Sequence, residues 1–400
     1  MNLSRNLRLA LFAAVYFAQG ISLAYFLTFN ILYLGESGYG PKDVGFLQSL
    51  LLLPFILKIF LGMFSDAVNL FGLGHRKPYI LIGLIGQAII FLLMPLISVA
   101  DGLGVYALAA LLAYLGMALY DTSTDGLALD TTPEHERGLV QGLMTGSRAL
   151  GILIMLVLGG QVVETLGWPW YFYTSLILVL VPLPFVMMVT EDPARTQRRE
   201  FQWSAFKSLA RGSVLLVGLL GILYTLTLDG VLVFLSDYLR QTLEVSMGGI
   251  GMLVALSMVG RIVGAVSNTW VTDKIGHRQS LFVAVALAFG ACVGLALGGS
   301  TAIIGLMGLL FGVAYGYYSA VYGVVAMDFC DPHIAASMFA IFMMFVNIGT
   351  AGGQSVGGIL TERLGFSGMV LVMGAINLIN IPIVYAIFRR SGRQAAESTV

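Results

Sequence analysis

The chain is written twice. Gly159-Gly160-Gln161-Val162-Val163-Glu164-Thr165-Leu166-Gly167-Trp168 returns as Gly357-Gly358-Ile359-Leu360-Thr361-Glu362-Arg363-Leu364-Gly365-Phe366, 198 residues later in a chain of 400. Gly74-His75-Arg76 returns as Gly276-His277-Arg278 at an offset of 202, each copy following an aspartate, Asp66 and Asp273. A sequence that repeats at half its length folds as two like bundles. Whatever one half does with its apolar surface, the other must do as well.

That surface is too large for water. Hydrophobic residues make up 58% of the chain and charged ones 10%, against about 25% charged in soluble domains, so lipid is the solvent. A helix crosses the hydrocarbon core with about 20 apolar residues. Twelve such stretches are predicted: 8–34, 44–65, 78–99, 104–129, 138–163 and 169–189 in the first half, and 213–239, 249–271, 280–299, 301–327, 334–360 and 367–388 in the second. The fold class expected is an all-α membrane protein of twelve transmembrane helices. Its parts are an N-terminal six-helix half (1–189), a linker (190–212), a C-terminal six-helix half (213–388) and a tail (389–400). With both termini in the cytoplasm, fifteen Lys and Arg residues fall in cytoplasmic loops and three (Lys42, Arg240, Arg363) outside, which fixes the orientation by the positive-inside rule. The first stretch follows Arg5 and Arg8 and reads as a retained span rather than a cleaved leader. In the linker, Phe201, Trp203 and Phe206 near Lys207 and Arg211 read either as an interfacial helix or as a plain connector.

Three basic residues remain, Lys58, Arg148 and Arg261, and all lie inside apolar spans, as do Asp121, Asp125 and Asp229. Charges there are costly, about 3 kcal/mol each on insertion scales, and ordinarily line a polar pathway. At ~1.5 Å per helical residue, Lys58 lies about 12 Å deep, Asp121 about 13 Å and Arg148 about 15 Å, one level near the midplane. Asp121 and Asp125 are four apart and share a helix face. A cluster of two cations and two carboxylates is therefore expected inside the first half. Adjacent carboxylates suit a proton carrier, since each disfavours the other's charge. In the second half Arg261 lies about 18 Å deep and Asp229 nearer the outside, so their pairing stays open. Tyr315, Tyr318 and Tyr322 share a face of the tenth span, either as an aromatic wall for a ligand or as packing. Tyr16, Gln19 and Asn30 in the first span, with Asn347 and Gln354 in the eleventh, are further cavity candidates.

Other chemistries are excluded. Gly353-Gln354-Ser355-Val356-Gly357 has the form of a hydrolase elbow, but it lies inside an apolar helix without the strand–turn–helix setting and reachable histidine that the elbow needs. Small residues there favour close helix packing. No Gly-Lys dipeptide occurs, so there is no P-loop. No His or Cys cluster suggests a metal, no cofactor is implied, and no basic face suits nucleic acid. Cys292 and Cys330 are read as small apolar fillers.

Gly62-Met63-Phe64-Ser65-Asp66 followed by His75-Arg76-Lys77 resembles the signature loop between the second and third spans of the major facilitator superfamily. Lys58 eight residues before Asp66, Asp125 with Asp130, the run Thr132 to Gly138 and Ser147 to Gly151 around Arg148 resemble one branch of it, the muropeptide permease (AmpG) and acetyl-CoA transporter group. Folate–biopterin carriers share a similar loop around Arg76-Lys77-Pro78-Tyr79. The resemblance implies a multi-pass carrier of the inner membrane, driven by protons, with spans 1, 4, 7 and 10 lining its cavity.

Taken with the buried charges, these readings predict a proton-coupled symporter of a polar, anionic organic solute, working by alternating access as a monomer. Lys58 and Arg148, with Tyr315, Tyr318, Gln19 and Asn347, are the expected substrate residues. Asp121, Asp125 and Asp229 are the expected proton carriers, and Asp66 with Arg76 and Asp273 with Arg278 the expected gate. Arg261 is a buried charge without an assigned role. An efflux antiporter for amphipathic compounds and a non-transporting membrane receptor remain as alternatives.

Overall fold

The structure is a computed structural model that describes residues 4–397 apart from 73, 98, 100, 101, 192–206, 208–210, 332 and 333. Most of the linker, including the three aromatic residues noted in it, lies outside the described residues. Among those described, eleven helical segments are long and apolar enough to cross a membrane. They are α1 (Arg5–Glu36), α2 (Pro41–Ala67), α3 (Lys77–Leu96), α4 (Leu103–Thr131), α5 (Arg137–Leu166), α6 (Trp168–Met187), α7 (Gly212–Gln241), α8 (Met247–Ile275), α9 (His277–Ala296), α10 (Thr301–Asp328) and α11 (Ser337–Arg389).

At 53 residues, α11 would be roughly 80 Å long if straight, more than twice a bilayer core. It is interrupted at Gly365, where φ is 70° and ψ 175°, and the expected stretches 334–360 and 367–388 lie on either side of that break. Gly167, its counterpart in the repeat, has φ 87° between α5 and α6. Only glycine enters this region without strain, so the repeated Leu-Gly-aromatic is a chain-turning device. The other repeat behaves alike: Gly74 and Gly276 have φ of 114° and 79° just before α3 and α9.

The chain forms two compact units. The first comprises Met1–Gly38, Leu50–Glu200 and Ser246–Ala255; the second comprises Tyr39–Ser49, Phe201–Val245 and Leu256–Val400. The division follows the halves except that the opening turns of α2 and α8 are exchanged. In the first unit α1 packs on α5 and α3 on α4 and α6, and the start of α8 joins through Gly248, whose N–H donates to Glu164 Oε2 at 2.7 Å. In the second, α7 packs along α11 and α9 along α10. There the end of the α2 opening joins through Ser49, whose hydroxyl meets the Ala351 carbonyl at 2.5 Å and the Ser355 hydroxyl at 2.6 Å. The serine of the hydrolase-like motif is thus a helix-packing contact.

Apolar side chains face outward in rows. Ile82, Ile85, Ile89, Leu92 and Leu96 are exposed at three- and four-residue steps along α3. Such a row suits hydrocarbon chains as neighbours. The first unit's core is aromatic: Tyr25, Phe29, Phe91, Tyr171 and Phe172 are all buried.

Candidate functional site

Two polar clusters interrupt these apolar bundles, one in each unit. Close backbone contact sets up the first. A Cβ on Gly20 would come within 2.2 Å of the Arg148 carbonyl oxygen, and one on Gly151 within 2.3 Å of the Phe17 carbonyl. With no side chains between them, α1 and α5 touch, and Arg148 is held beside Tyr16. From α2, Lys58 Nζ reaches Asp121 Oδ2 at 2.5 Å and Asp125 Oδ2 at 2.9 Å, both on α4. Gln19 Nε2 donates to Asp121 Oδ1 at 2.8 Å, and the Tyr16 hydroxyl donates to Asp125 Oδ1. Arg148 lies over the Tyr16 ring, 5.8 Å from its centroid.

The predicted convergence of Lys58, Asp121, Asp125 and Arg148 is what the structure contains, with Gln19 and Tyr16 added. The four charges are not equally placed. Asp121 is 4% exposed, Lys58 32% and Asp125 39%, so Asp125 is the more accessible of the two carboxylates. Arg148 is half-buried and makes no hydrogen bond or ion pair among the described residues. At membrane depth that is unusual, and it leaves a guanidinium's five donors available.

The second cluster has the same parts in another order. Asp229 on α7 accepts from the Tyr315 hydroxyl of α10 and from Thr350 Oγ1 of α11 at 2.6 Å. Arg261 of α8 does not pair with Asp229; its guanidinium lies 3.8 Å from the Tyr315 ring centroid. The depth mismatch expected between Arg261 and Asp229 is therefore bridged by a tyrosine that touches both. Tyr318 and Tyr322 turn away from this polar group and pack on Tyr224, with centroids 4.9 Å apart in each case. Tyr318 is 0% exposed and offers no surface to a ligand as placed. Asn347 is half-buried one helical turn before Thr350, and Thr350 is the residue that meets Asp229. Sequence reasoning missed Thr350 and Tyr224, which meet Asp229 and the Tyr318 and Tyr322 rings.

The two expected gates differ. Arg76 bonds Asp66, Ser65 Oγ at 2.9 Å and Asp130 at 3.3 Å. Glu191, at the head of the linker, accepts from the backbone N–H groups of His75 at 2.8 Å, Arg76 at 3.0 Å and Lys77, capping the exposed amides at the start of α3. In the second half Asp273 and Arg278 are exposed and not joined. Arg278 lies over the Tyr385 ring at 5.5 Å, and His277 meets Asp328 at 2.7 Å. The repeated loop thus keeps a contact to the end of the fourth helix of its half (Asp130, Asp328) and changes the residue that makes it. Among the described residues no group of His, Cys, Asp and Glu is arranged to hold a metal ion.

Apolar helices crossing a membrane around buried, interhelical charges define a multi-pass membrane transporter. The family model described as Major Facilitator Superfamily matches residues 12–353 and 217–399, and the chain belongs to that superfamily, one of transporters and not of enzymes. A folate-biopterin transporter of Synechocystis sp. is 24% identical over 376 residues, 88% of this chain and 74% of that protein. A vesicular acetylcholine transporter of Torpedo marmorata is 25% identical over 335 residues, 81% of this chain and 63% of the relative's length. Among solved structures, the nucleoside transporter NupG superimposes with a TM-score of 0.78 at 14% identity, covering 96% of this chain and 98% of that one. A bacterial homologue of the human lysosomal transporter Spinster, inward-facing and unoccupied, gives 0.77 at 13% identity, covering 97% and 98%. These two likenesses show the fold alone.

Proposed function

We propose that this protein is a proton-coupled symporter of a polar, anionic organic solute, built as twelve spans in two six-helix halves, with both termini cytoplasmic, acting as a monomer in the inner membrane. The observation that carries the reading is the first cluster: Lys58 bridges two carboxylates while Arg148 beside it has no ionic partner among the described residues. A proton arriving on Asp125 or Asp121 loosens one of the two bonds on Lys58. The freed ammonium and Arg148 then take the solute's acidic group by charge-assisted hydrogen bonds. The solute's departure returns Lys58 to the carboxylates and expels the proton. Coupling thus needs no histidine in the membrane. Asp66 with Arg76 serves as the gate of the first half, and the Asp273–Arg278 loop as that of the second, alternately locking and releasing helix ends.

Likeness to a folate-biopterin transporter across 88% of the chain is broader than the motif likeness, confined to residues 50–151, to the muropeptide permease and acetyl-CoA transporter branch. It sets the first substrates to test: acidic, ring-bearing solutes of the folate kind. In proteoliposomes an inward-acid gradient drives folate uptake, and Asp125→Asn abolishes that drive while leaving folate exchange. Uptake indifferent to pH and to protonophore rules the coupling out.

A second reading is exchange of an amphipathic compound. The likeness to a vesicular acetylcholine transporter favours it. Proton-driven counterflow of acetylcholine, with no folate uptake, selects this reading instead.

A further inference from the structure

Arg261 stands in the middle of α8, fourteen residues from either end of Met247–Ile275. An arginine at that depth ordinarily pairs, because its donors find no acceptor in hydrocarbon. Arg261 makes no hydrogen bond and no ion pair among the described residues. The carboxylate that shares its tyrosine, Asp229, is taken up by Tyr315 and Thr350. Stacking on Tyr315 at 3.8 Å satisfies one face of the guanidinium plane and none of its N–H edge.

The arginine is also fixed in place. A Cβ on Gly316 would meet the Arg261 carbonyl oxygen at 1.9 Å, and one on Gly312 the Ser257 carbonyl at 2.0 Å. So α8 and α10 touch backbone to backbone at the level of Arg261, and its ring platform, Tyr315, comes from the same contact. The first unit repeats this build around Arg148: a tyrosine beneath the guanidinium, a carboxylate occupying the tyrosine's hydroxyl, and a glycine against the arginine's own carbonyl.

The geometry points to a second anion-binding position, at Arg261 in the second unit, for an oxyanion of the transported solute. The inference rests on the reading of the chain as a carrier of an acidic solute. It adds that the second unit has an anion position of its own, fit for an acidic group of such a solute. Carboxylate and phosphate share the required chemistry, since both accept two parallel N–H bonds from a guanidinium. Lysine at the same place keeps the charge and loses the fork.

The test is thermal unfolding of the full chain in lipid nanodiscs with four probes: folate, uncharged biopterin, succinate and inorganic phosphate. In wild type, folate raises the unfolding temperature, and so does succinate or phosphate. Arg261→Gln weakens folate binding about tenfold or more, as the loss of charge-assisted hydrogen bonds implies. It removes the response to succinate if the group is a carboxylate, or to phosphate if it is a phosphate, and leaves the response to biopterin. Arg261→Lys falls between. The inference is overturned if no anion stabilises wild type. It is also overturned if Arg261→Gln binds every anion as wild type does, or if it weakens biopterin and folate equally, the mark of a packing role. Arg148→Gln run in parallel separates this inference from the reading beneath it: anion binding that survives Arg148→Gln and fails in Arg261→Gln sinks the first cluster's role and keeps the second's.

Discussion

Lys58 in α2 and Arg261 in α8 stand 203 residues apart, close to the offset of the Gly-His-Arg repeat, yet only Lys58 touches a carboxylate. Around them each unit ties its first helix to its fourth with one tyrosine–aspartate hydrogen bond. In the first unit the tyrosine comes from α1 and the aspartate from α4; in the second the aspartate comes from α7 and the tyrosine from α10. The bond survives the duplication with its ends exchanged. The charges do not survive unchanged: two cations and two carboxylates in the first unit, one of each in the second. In the first cluster Lys58 serves two carboxylates at once, so neutralising either one breaks an ion pair. The second is held by neutral donors and a ring, and a moving proton leaves its cation where it was.

Removing the cations tests this contrast most strongly. Lys58→Met takes from Asp121 and Asp125 the cation bonded to both and leaves Arg148 as the nearby charge; breaking a fully buried pair from one side costs about 3–5 kcal/mol, and the partial exposure of Lys58 and Asp125 puts this loss towards or below the lower end. Arg261→Met breaks no ion pair and loses roughly 0.5–2 kcal/mol of cation–π attraction. Thermal or denaturant unfolding in one detergent ranks the two, and equal losses break the contrast. The tyrosines reverse the order. Tyr315→Phe leaves Asp229 with Thr350 as its remaining hydrogen-bond partner among the described residues and costs about 1.5–3 kcal/mol, the worth of a hydrogen bond to a charged group. Tyr16→Phe leaves Asp125 with Lys58 and with 39% of its side chain exposed, and costs less. The same unfolding assay decides, and a larger loss for Tyr16→Phe counts against the assignment. The loops give the smallest effect. Asp66→Asn weakens a buried Arg76 network, slows turnover and increases labelling of cysteines placed near the α2–α3 loop. Asp273→Asn, at an exposed and unjoined residue, stays within about 0.5 kcal/mol of wild type with turnover unchanged. A matching fall in turnover in both variants shows that the two gates are equivalent after all.

Much of this was readable in the chain. Hydropathy pointed to an all-helical membrane protein because lipid demands length and apolarity of every span, and eleven segments among the described residues meet that demand; the internal repeat located the turns because Gly167, Gly365, Gly74 and Gly276 adopt positive φ. Depth counted along helices brought Lys58, Asp121 and Arg148 to one level, since all three lie on helices of one bundle with a common reference at the loop ends. The same count put Asp229 and Arg261 at different levels, and in the structure the two do not pair but share Tyr315. Thr350 and Glu191 were invisible: a threonine in an apolar helix and an acid beside a linker are ordinary residues until their partners are known. Tyr318 shared a face with Tyr315 as the spacing required, but spacing does not say which of two buried hydroxyls meets an acid.

The phenol of Tyr315 between Asp229 and Arg261 acts like the insulating layer of a capacitor. Opposite charges are stored close together, within reach of each other's field, and are kept from discharging into a salt bridge. Neutralising either one then breaks no ion pair to the other, unlike Lys58, whose charge is bonded to both of its carboxylates.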